Sequence, residues 1–372
     1  MVRYGLWSIG KFSLALAAVA CAGAPACRQA PESHSPPDIG GGYSVTDALG
    51  RQVAFTEPPR RIALSGKAVS MITNSLYMFP GAGRRIIATA RTGEVLSNFI
   101  SLIDPGIDEK PVLPEMVGPE QIAGQRPDAV ILKSHLAHTV GRSLEILNIP
   151  VVYVDFETPD QYLRDLRTLG ELLRQPERAA ELIRYFQAAV QRVQNAVAGI
   201  DDAERRRVLL LYYSSSRGTS TLNVPPASWM QTVMTEMAGG TAVWREANPA
   251  KGWTQVSLEQ IYAWDPDVIF VTSYSERSDA VAERIRADTN WHSVRALRNG
   301  SLHAFAGDFL SWDLPDPRWM LGLTWMAQKL YPDRFRQVDI IELARDFYRV
   351  AYGQDASFFD QQVRPALRGD LP

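Results

Sequence analysis

Two stretches of the chain, EQIAGQRPDAVI at residues 120–131 and EQIYAWDPDVIF at residues 259–270, read as copies of one unit. Glu, Gln, Ile, Pro and Asp coincide in register without a gap, and each copy ends in an apolar run. The shared proline ends a short helix and sets an extended entry into a strand. One such unit in each half of the chain predicts two related lobes. The alternative is coincidence, since helix–turn–strand order recurs throughout α/β proteins.

The rest of the folded body fits the same architecture. From residue 43 onward, short apolar runs alternate with helix-period stretches, which is typical of parallel sheets covered by helices. The predicted strands form two sets, residues 61–64, 85–89, 129–132 and 151–154, followed by residues 208–212, 268–271 and 301–304. We therefore expect an α/β fold of two Rossmann-like lobes with mainly parallel sheets and a ligand cleft between the lobes.

A single long helix is predicted between the two sets of strands. Residues 177–200 are almost free of glycine, begin after Pro176 and end at Gly199. At 1.5 Å per residue such a helix is about 35 Å long, enough to cross from one lobe to the other. The expected organisation is a signal segment at 1–27, a flexible tether at 28–42, an N-terminal lobe at 43–176, the interlobe helix at 177–200 and a C-terminal lobe at 201–372.

Length and composition support a two-lobed soluble body. The chain has 372 residues, more than one typical core of about 100–200 residues contains. It is 46% hydrophobic and 22% charged, with a net charge of −2. Basic residues are not in excess, so the composition does not suggest nucleic acid as a partner.

The first residues have the pattern of an export signal. Arg3 and Lys11 occur without an acid, and FSLALAAVA at residues 12–20 is an uninterrupted apolar run. The run is shorter than the roughly 20 residues of a membrane span, and no later segment reaches that length. We expect an exported protein that has no transmembrane helix once it is processed, located in the periplasm or on the outer face of the cell envelope.

Cys21 and Cys27 are the two cysteines of the chain, and both directly follow small residues after the apolar run. This context resembles the lipobox of bacterial lipoproteins, although leucine is missing at the third position back. Lipidation is predicted at Cys21, which directly ends the apolar run, with Cys27 as the second choice. Simple cleavage after an A-x-A site is the alternative, and the folded body has no cysteine for a disulfide.

The chain as a whole resembles a known family. The resemblance rests on VTDALGRQVAFTEPPRRIALS at 45–65, the EQI…PD motif in each half, NIPVVYVD at 148–155 and PRWMLGLTWMAQKLYPDRF at 317–335. These segments are similar to class III periplasmic binding proteins, the binding components of ABC importers for iron-siderophores, haem and cobalamin. The similarity covers nearly all of residues 43–353.

The resemblance carries functional expectations. It implies two lobes joined by one rigid helix, a ligand held between them, and one glutamate on each lobe's rim that pairs with arginines of the permease. By position in the repeated motif, these glutamates are Glu120 and Glu259. The alternative is that each glutamate is simply a solvated residue, since acidic residues are common in the first turn of a helix. The expected partners are an ABC permease with its ATPase subunits and a small ligand. The protein is expected to be a monomer without an intrinsic cofactor.

The favoured ligand is a ferric siderophore or related iron complex, with cobalamin, haem and an oxyanion such as molybdate as alternatives. Ligands of open α/β sheets bind beyond the carboxyl ends of the strands. Aromatic walls suit large flat ligands, and lysine or arginine suits anionic iron complexes. The candidate ligand-binding residues are Lys67, Arg91, Tyr213, Arg217, Trp229, Trp253, Tyr274 and Trp312. Core packing is the alternative for each tryptophan, and it is the role predicted for Trp319 and Trp325 on a helical stretch.

Two histidines are weak candidates for a metal site. His135 and His138, in SHLAH, could share one helical face and ligate a metal or a haem iron. A site for a free metal ion needs three or four converging ligands. Apart from these two residues, the histidines of the folded body are His292 and His303. We therefore expect a surface pair and no metal site.

Catalytic motifs are missing from the sequence. It contains no G-x-S-x-G elbow, no P-loop, no G-x-G-x-x-G after a strand and no cysteine in the body. We expect no enzymatic activity. A two-lobed α/β enzyme such as a glycosyltransferase is the competing class, and it would form product where a binding protein retains ligand stoichiometrically.

Overall fold

A computed structural model describes residues 41–90, 99–114, 117–216, 219–249 and 252–372. The strands are β1 Tyr43–Thr46, β2 Gln52–Phe55, β3 Ile62–Leu64, β4 Ile86–Ala90, β5 Val112–Leu113, β6 Ala129–Lys133, β7 Val151–Val154, β8 Arg207–Ser216, β9 Thr219–Val224, β10 Thr241–Ala242, β11 Thr254–Val256, β12 Val268–Thr272 and β13 Leu302–Ala304. The α-helices are α1 Val69–Leu76, α2 Phe99–Ile103, α3 Pro119–Ala123, α4 Arg142–Ile146, α5 Pro159–Leu173, α6 Pro176–Val197, α7 Met230–Met237, α8 Leu258–Trp264, α9 Ser278–Ala287, α10 Arg295–Arg298, α11 Trp319–Leu330, α12 Ile340–Tyr352 and α13 Ala356–Phe358.

The first lobe contains a five-stranded parallel sheet in the order β5-β4-β3-β6-β7. Strands β6 and β7 are buried along their whole length, as expected for parallel strands covered on both faces. The chain leaves β3 on one side toward β4 and β5, and it returns at β6 on the other side. The carboxyl ends of β3 and β6 therefore flank the switch point of the sheet, where α/β proteins form their binding crevice.

The second lobe contains a mixed sheet in the order β11-β9-β8-β12-β13, with β10 paired to the start of β8. Strands β8, β12 and β13 run parallel, so β8 and β12 flank an equivalent switch point. Strands β9 and β11 are antiparallel additions that the sequence did not predict. A β1–β2 hairpin, also not predicted, lies outside both sheets.

Hydrogen bonds show that the two copies of the repeat occupy the same structural position. Asp128 accepts the backbone N–H of Arg61 at 3.0 Å, and its own N–H donates to the Arg61 carbonyl at 2.8 Å. Asp267 makes the same pair of bonds with Arg207, at 2.9 Å and 2.8 Å. In each lobe the Pro-Asp step thus fixes the repeat's strand beside the central strand, which gives the repeated sequence its physical role.

Helix α6 connects the part of the chain that forms the first sheet to the part that forms the second. Its 22 residues begin with Pro176 at a position where the missing N–H costs nothing. The buried side of α6 includes Phe186, which stacks on Trp319 of α11 at 5.8 Å. Trp319 and Trp325 are both fully buried, which confirms their predicted place in the core.

An irregular segment between β13 and α11 is buried throughout residues 305–318. It brings Arg318, with no exposed surface, into ion pairs with Asp308 at 2.9 Å and Asp316 at 2.7 Å. Asp316 also accepts a hydrogen bond of 2.5 Å from Asn74 on α1 of the first lobe. A buried polar network therefore ties the two lobes together. Among the described helices, none combines the length and the apolar character needed to cross a membrane.

Candidate ligand-binding cleft

A cavity of about 710 Å³ lies between the lobes. Its described lining residues are Lys67, Ala68, Met71, Lys133, Ser134, His135, Asp155, Glu157, Thr158 and Gln161 from the first lobe, and Ser228, Trp229, Gln231, Gly252, Trp253, Tyr274, Leu314 and Pro315 from the second. Several of them directly follow β3, β6, β7 and β12. The cavity therefore opens at the carboxyl ends of the parallel strands, where the fold predicts it.

The wall formed by the first lobe is polar. Lys133 has 2% of its surface exposed, and its ammonium donates to Glu157 at 2.7 Å and to the carbonyl of Asp155. The Asp155 carboxylate accepts hydrogen bonds from Ser134 and, at 2.7 Å, from Arg164. Both carboxylates of this wall are thus already paired with cations.

Lys67 is the cation of this wall that no carboxylate of the described residues neutralises. It is exposed at the turn after β3, and no hydrogen bond or ion pair involves its ammonium within the described residues. An exposed ammonium with no carboxylate partner attracts anions, most strongly where low-dielectric walls focus its field. The wall therefore favours a ligand with negative charge.

His135 lies on the same wall and is exposed to the cleft. Partial burial lowers the pKa of His135, and the charge of Lys133 lowers it further. The imidazole is consequently neutral at neutral pH and offers one donor and one acceptor to a ligand.

The wall formed by the second lobe is aromatic. Trp253 meets Trp229 edge to face at 5.7 Å, and it packs on Tyr212 at 4.8 Å. Tyr212 stacks in turn on Tyr274 at 4.7 Å. Trp229, Trp253 and Tyr274 are partly buried and line the cavity, so they present ring surface that a flat ligand can cover.

Asp313 supports this wall from behind. It is fully buried and accepts hydrogen bonds from Tyr274 at 2.5 Å, Thr272 at 2.9 Å and Ser311. Burial raises the pKa of Asp313, while the hydrogen bonds from Ser311, Tyr274 and Thr272 lower it in part. The carboxylate fixes the Tyr274 ring in one orientation at the cavity surface.

The two glutamates at the start of the repeated motif occupy matching surface positions. Glu120 is exposed in the first turn of α3, and Glu259 is exposed in the first turn of α8. Hydrogen bonds from Ser257 and from its own backbone N–H lower the pKa of Glu259. A carboxylate in the first turn of a helix is also stabilised by the helix dipole.

The model of the family described as periplasmic binding protein matches residues 108–305, more than half of the 372 residues, and spans parts of both lobes. The chain belongs to the periplasmic binding protein family. As the sequence predicted, it falls in class III, among the substrate-binding components of ABC transporters.

The relatives of this chain are named for different ligands. The molybdate-binding protein MolA of Haemophilus influenzae is 23% identical over 344 residues, covering 83% of this chain and 90% of the relative. The solved structure of MolA bound to molybdate has a TM-score of 0.66 and 21% identity, covering 84% of this chain and 98% of that one. A cobalamin-binding protein of Halobacterium salinarum is 24% identical, covering 78% of this chain and 74% of the relative. The likeness in structure confirms the predicted two-lobed α/β fold.

Four of the predicted ligand-binding residues line the cavity of this binding protein, namely Lys67, Trp229, Trp253 and Tyr274. Their contact with a ligand stays a prediction. The weak candidate His135 also lines the cavity, whereas His138 is exposed and not part of the lining. No cluster of three or more metal-ligating side chains was found in the described ranges.

Two predicted ligand-binding residues need correction. Trp312 is fully buried and donates its ring N–H to Asp308 at 3.1 Å, so it belongs to the core. Tyr213 lies within β8, which extends to Ser216 instead of ending at residue 212, and its hydroxyl bonds Ser220 across the β8–β9 hairpin. Neither is part of the described cavity lining.

Four other predictions fall on residues outside the described ranges. They are the ligand candidates Arg91 and Arg217 and the lipidation candidates Cys21 and Cys27.

Several lining residues were not predicted from the sequence. Asp155 and Glu157 are the first and third residues after β7, so the rule that pointed to the loops after the other strands would have found them. Met71, Gln161 and Gln231 lie on helices, and no local signal in the sequence shows which helical residues face the cleft.

Proposed function

We propose that this protein captures a ferric siderophore, or a related anionic iron complex, and delivers it to an ABC importer. The observation that carries the proposal is the two-sided cavity, with an aromatic wall on one lobe and, on the other, Lys67, whose ammonium has no partner among the described residues. A negatively charged chelate with planar aromatic donor groups would pack these groups on the rings and meet the ammonium at the same time.

The size of the cavity supports a chelate over an oxyanion. About 710 Å³ falls in the range of pockets that enclose organic ligands of drug size. A tetrahedral oxyanion would fill a small part of that volume and would leave the aromatic wall uncovered. The kinship with MolA therefore does not by itself favour molybdate for this chain.

Cobalamin is the second candidate. Relatives named as cobalamin-binding proteins match more than three quarters of the chain, and a corrinoid ring could also cover Trp229 and Trp253. Its single phosphodiester is offset by the charge of the cobalt centre, so cyanocobalamin has no net charge, whereas a ferric tris-catecholate has a net negative charge. The ferric complex is therefore the better fit to Lys67 as well as to the aromatic wall.

Delivery needs no chemistry from the protein. The ligand binds in the cavity, the lobes close slightly, and Glu120 and Glu259 pair with arginines of the permease. The two cleft carboxylates, Asp155 and Glu157, are already engaged by Arg164 and Lys133, which argues against a free general base and against the glycosyltransferase alternative. The relatives of this protein are solute-binding proteins, and we infer the same, non-enzymatic role for this chain.

The export signal and Cys21 complete the proposal. A lipid on Cys21, or on Cys27, would hold the protein at the outer face of a membrane. The protein would act there as a monomer beside its permease and ATPase subunits.

The ligand class can be tested by titrating the purified protein with ferric enterobactin, cyanocobalamin and sodium molybdate. Because Trp229 and Trp253 line the cavity, an absorbing ligand bound there should quench tryptophan fluorescence. We expect ferric enterobactin to bind with a Kd of about 1 μM or tighter. Trp253→Ala should weaken this binding at least about tenfold, since it removes a ring from the wall.

Trp291→Phe serves as the matched control because Trp291 is buried in the second lobe and is not part of the cavity lining. It should leave the affinity unchanged. Tight binding of molybdate with no binding of the ferric complex, measured by calorimetry, would reject the proposed ligand class.

A further inference from the structure

The repeat extends beyond its strands to two side chains in the cavity. Continuing the gapless register of residues 120–131 and 259–270 pairs Ser134 with Ser273 and His135 with Tyr274. His135 and Tyr274 both line the cavity. One sequence position of an internal repeat therefore delivers one side chain to the cleft from each lobe.

The backbone supports this equivalence independently of the sequence register. Strand β6 is parallel to the central strand β3, and β12 is parallel to the central strand β8. Asp128 and Asp267 bind the start of these central strands in the same way. His135 and Tyr274 thus leave the sheets at equivalent switch points, the places where α/β lobes hold their ligands.

The two side chains differ in what they offer a ligand. The His135 ring has no hydrogen-bond partner within the described residues, so both of its nitrogens can serve a ligand. Tyr274 donates its proton to the buried Asp313 at 2.5 Å, so toward a ligand its oxygen acts as an acceptor. No hydrogen bond, ion pair or ring contact joins His135 to Tyr274 in the described part of the chain.

We propose that His135 and Tyr274 form a clamp that grips one ligand from both lobes and helps to set which ligand is accepted. The inference rests on the proposed function, because it requires a ligand in the cleft. The clamp selects a rigid complex with polar groups on two opposite sides, one of which donates a hydrogen bond to Tyr274. A ferric siderophore with amide N–H groups around its chelated iron has this chemistry.

A double-mutant cycle tests the clamp, with His135→Ala, Tyr274→Phe and their combination titrated with ferric enterobactin, cyanocobalamin and molybdate. For the probe that binds the wild type, each single variant should lose about tenfold in affinity. The double variant should lose about 20-fold in affinity, because a ligand released by one wall is no longer held against the other. If the two contacts were independent, the loss in affinity would be about 100-fold.

The free energy of unfolding separates the clamp from a structural role. No hydrogen bond, ion pair or ring contact joins the two residues in the described part of the chain, so their effects on stability should add in the double variant while their effects on affinity do not. His138→Ala and Tyr213→Phe are matched controls of the same residue types, outside the cavity lining, and should bind like the wild type.

Each outcome of the titration has a distinct meaning. Unchanged affinity in His135→Ala, or independent losses in the double variant, would overturn the clamp and leave the proposed function standing. Binding of none of the three probes by the wild type would overturn the proposed ligand classes together with the clamp.

Discussion

Reversing both rim charges, with Glu120→Arg and Glu259→Arg in one variant, should abolish import while leaving ligand affinity unchanged. Both glutamates are exposed in the first turn of a helix, at equivalent places in the two lobes. If they dock on permease arginines, each replacement places like charges together at a cost of several kcal/mol. Uptake of the ligand by cells should then fall about 100-fold or more.

The control for this prediction carries the same change in net charge. Glu177→Arg with Glu283→Arg alters two other exposed acids, one on α6 and one on α9, and should leave uptake near the wild-type rate. Ligand affinity of both double variants, measured on purified protein, should match the wild type because none of the four residues lines the cavity. Normal uptake by the Glu120→Arg, Glu259→Arg variant would remove the docking proposal.

Arg318→Met should destabilise the protein by about 3–5 kcal/mol, the cost of leaving buried charges unpaired. Arg318 has no exposed surface and pairs with Asp308 and Asp316, which are also fully buried. Its guanidinium also lies 5.0 Å from the ring centre of Phe99 on α2 and 5.5 Å from that of Tyr348 on α12. Removing the cation leaves two buried carboxylates without a partner of opposite charge, in the segment that joins the lobes.

Urea denaturation measures this effect directly. The triple variant Arg318→Met, Asp308→Asn, Asp316→Asn removes the stranded charges and should recover part of the loss, since neutral groups are cheaper to bury than charges. A loss below about 1 kcal/mol for Arg318→Met alone would show that the network is not a major source of stability.

The lobes were predictable because their signals are local. A Pro-Asp step before an apolar run specifies the end of a helix and the entry to a strand within a few residues. Asp128 and Asp267 then fix each strand beside its central neighbour. The antiparallel strands β9 and β11 were missed because they follow no comparable local signal, and the length of β8 was underestimated for the same reason.

The cavity was predictable only in part. Rules about the carboxyl ends of strands led to Lys67 and Tyr274 because those residues follow β3 and β12 closely. Trp312 was misplaced because its segment contains glycine, serine and proline, which usually indicate a surface loop. Here the loop is buried, and Asp308 supplies the partner that its ring N–H needs. Composition does not show that a loop of these residue types is buried with its polar groups paired inside the protein.

We expect the cleft of each chain to hold one iron complex. Native mass spectrometry of the protein purified from its own cell envelope can test this expectation. We predict one retained ligand per chain, with the isotope pattern of iron, and its loss from the Trp253→Ala variant. A retained mass of molybdate or cobalamin, or a ligand that survives this substitution unchanged, would contradict the account.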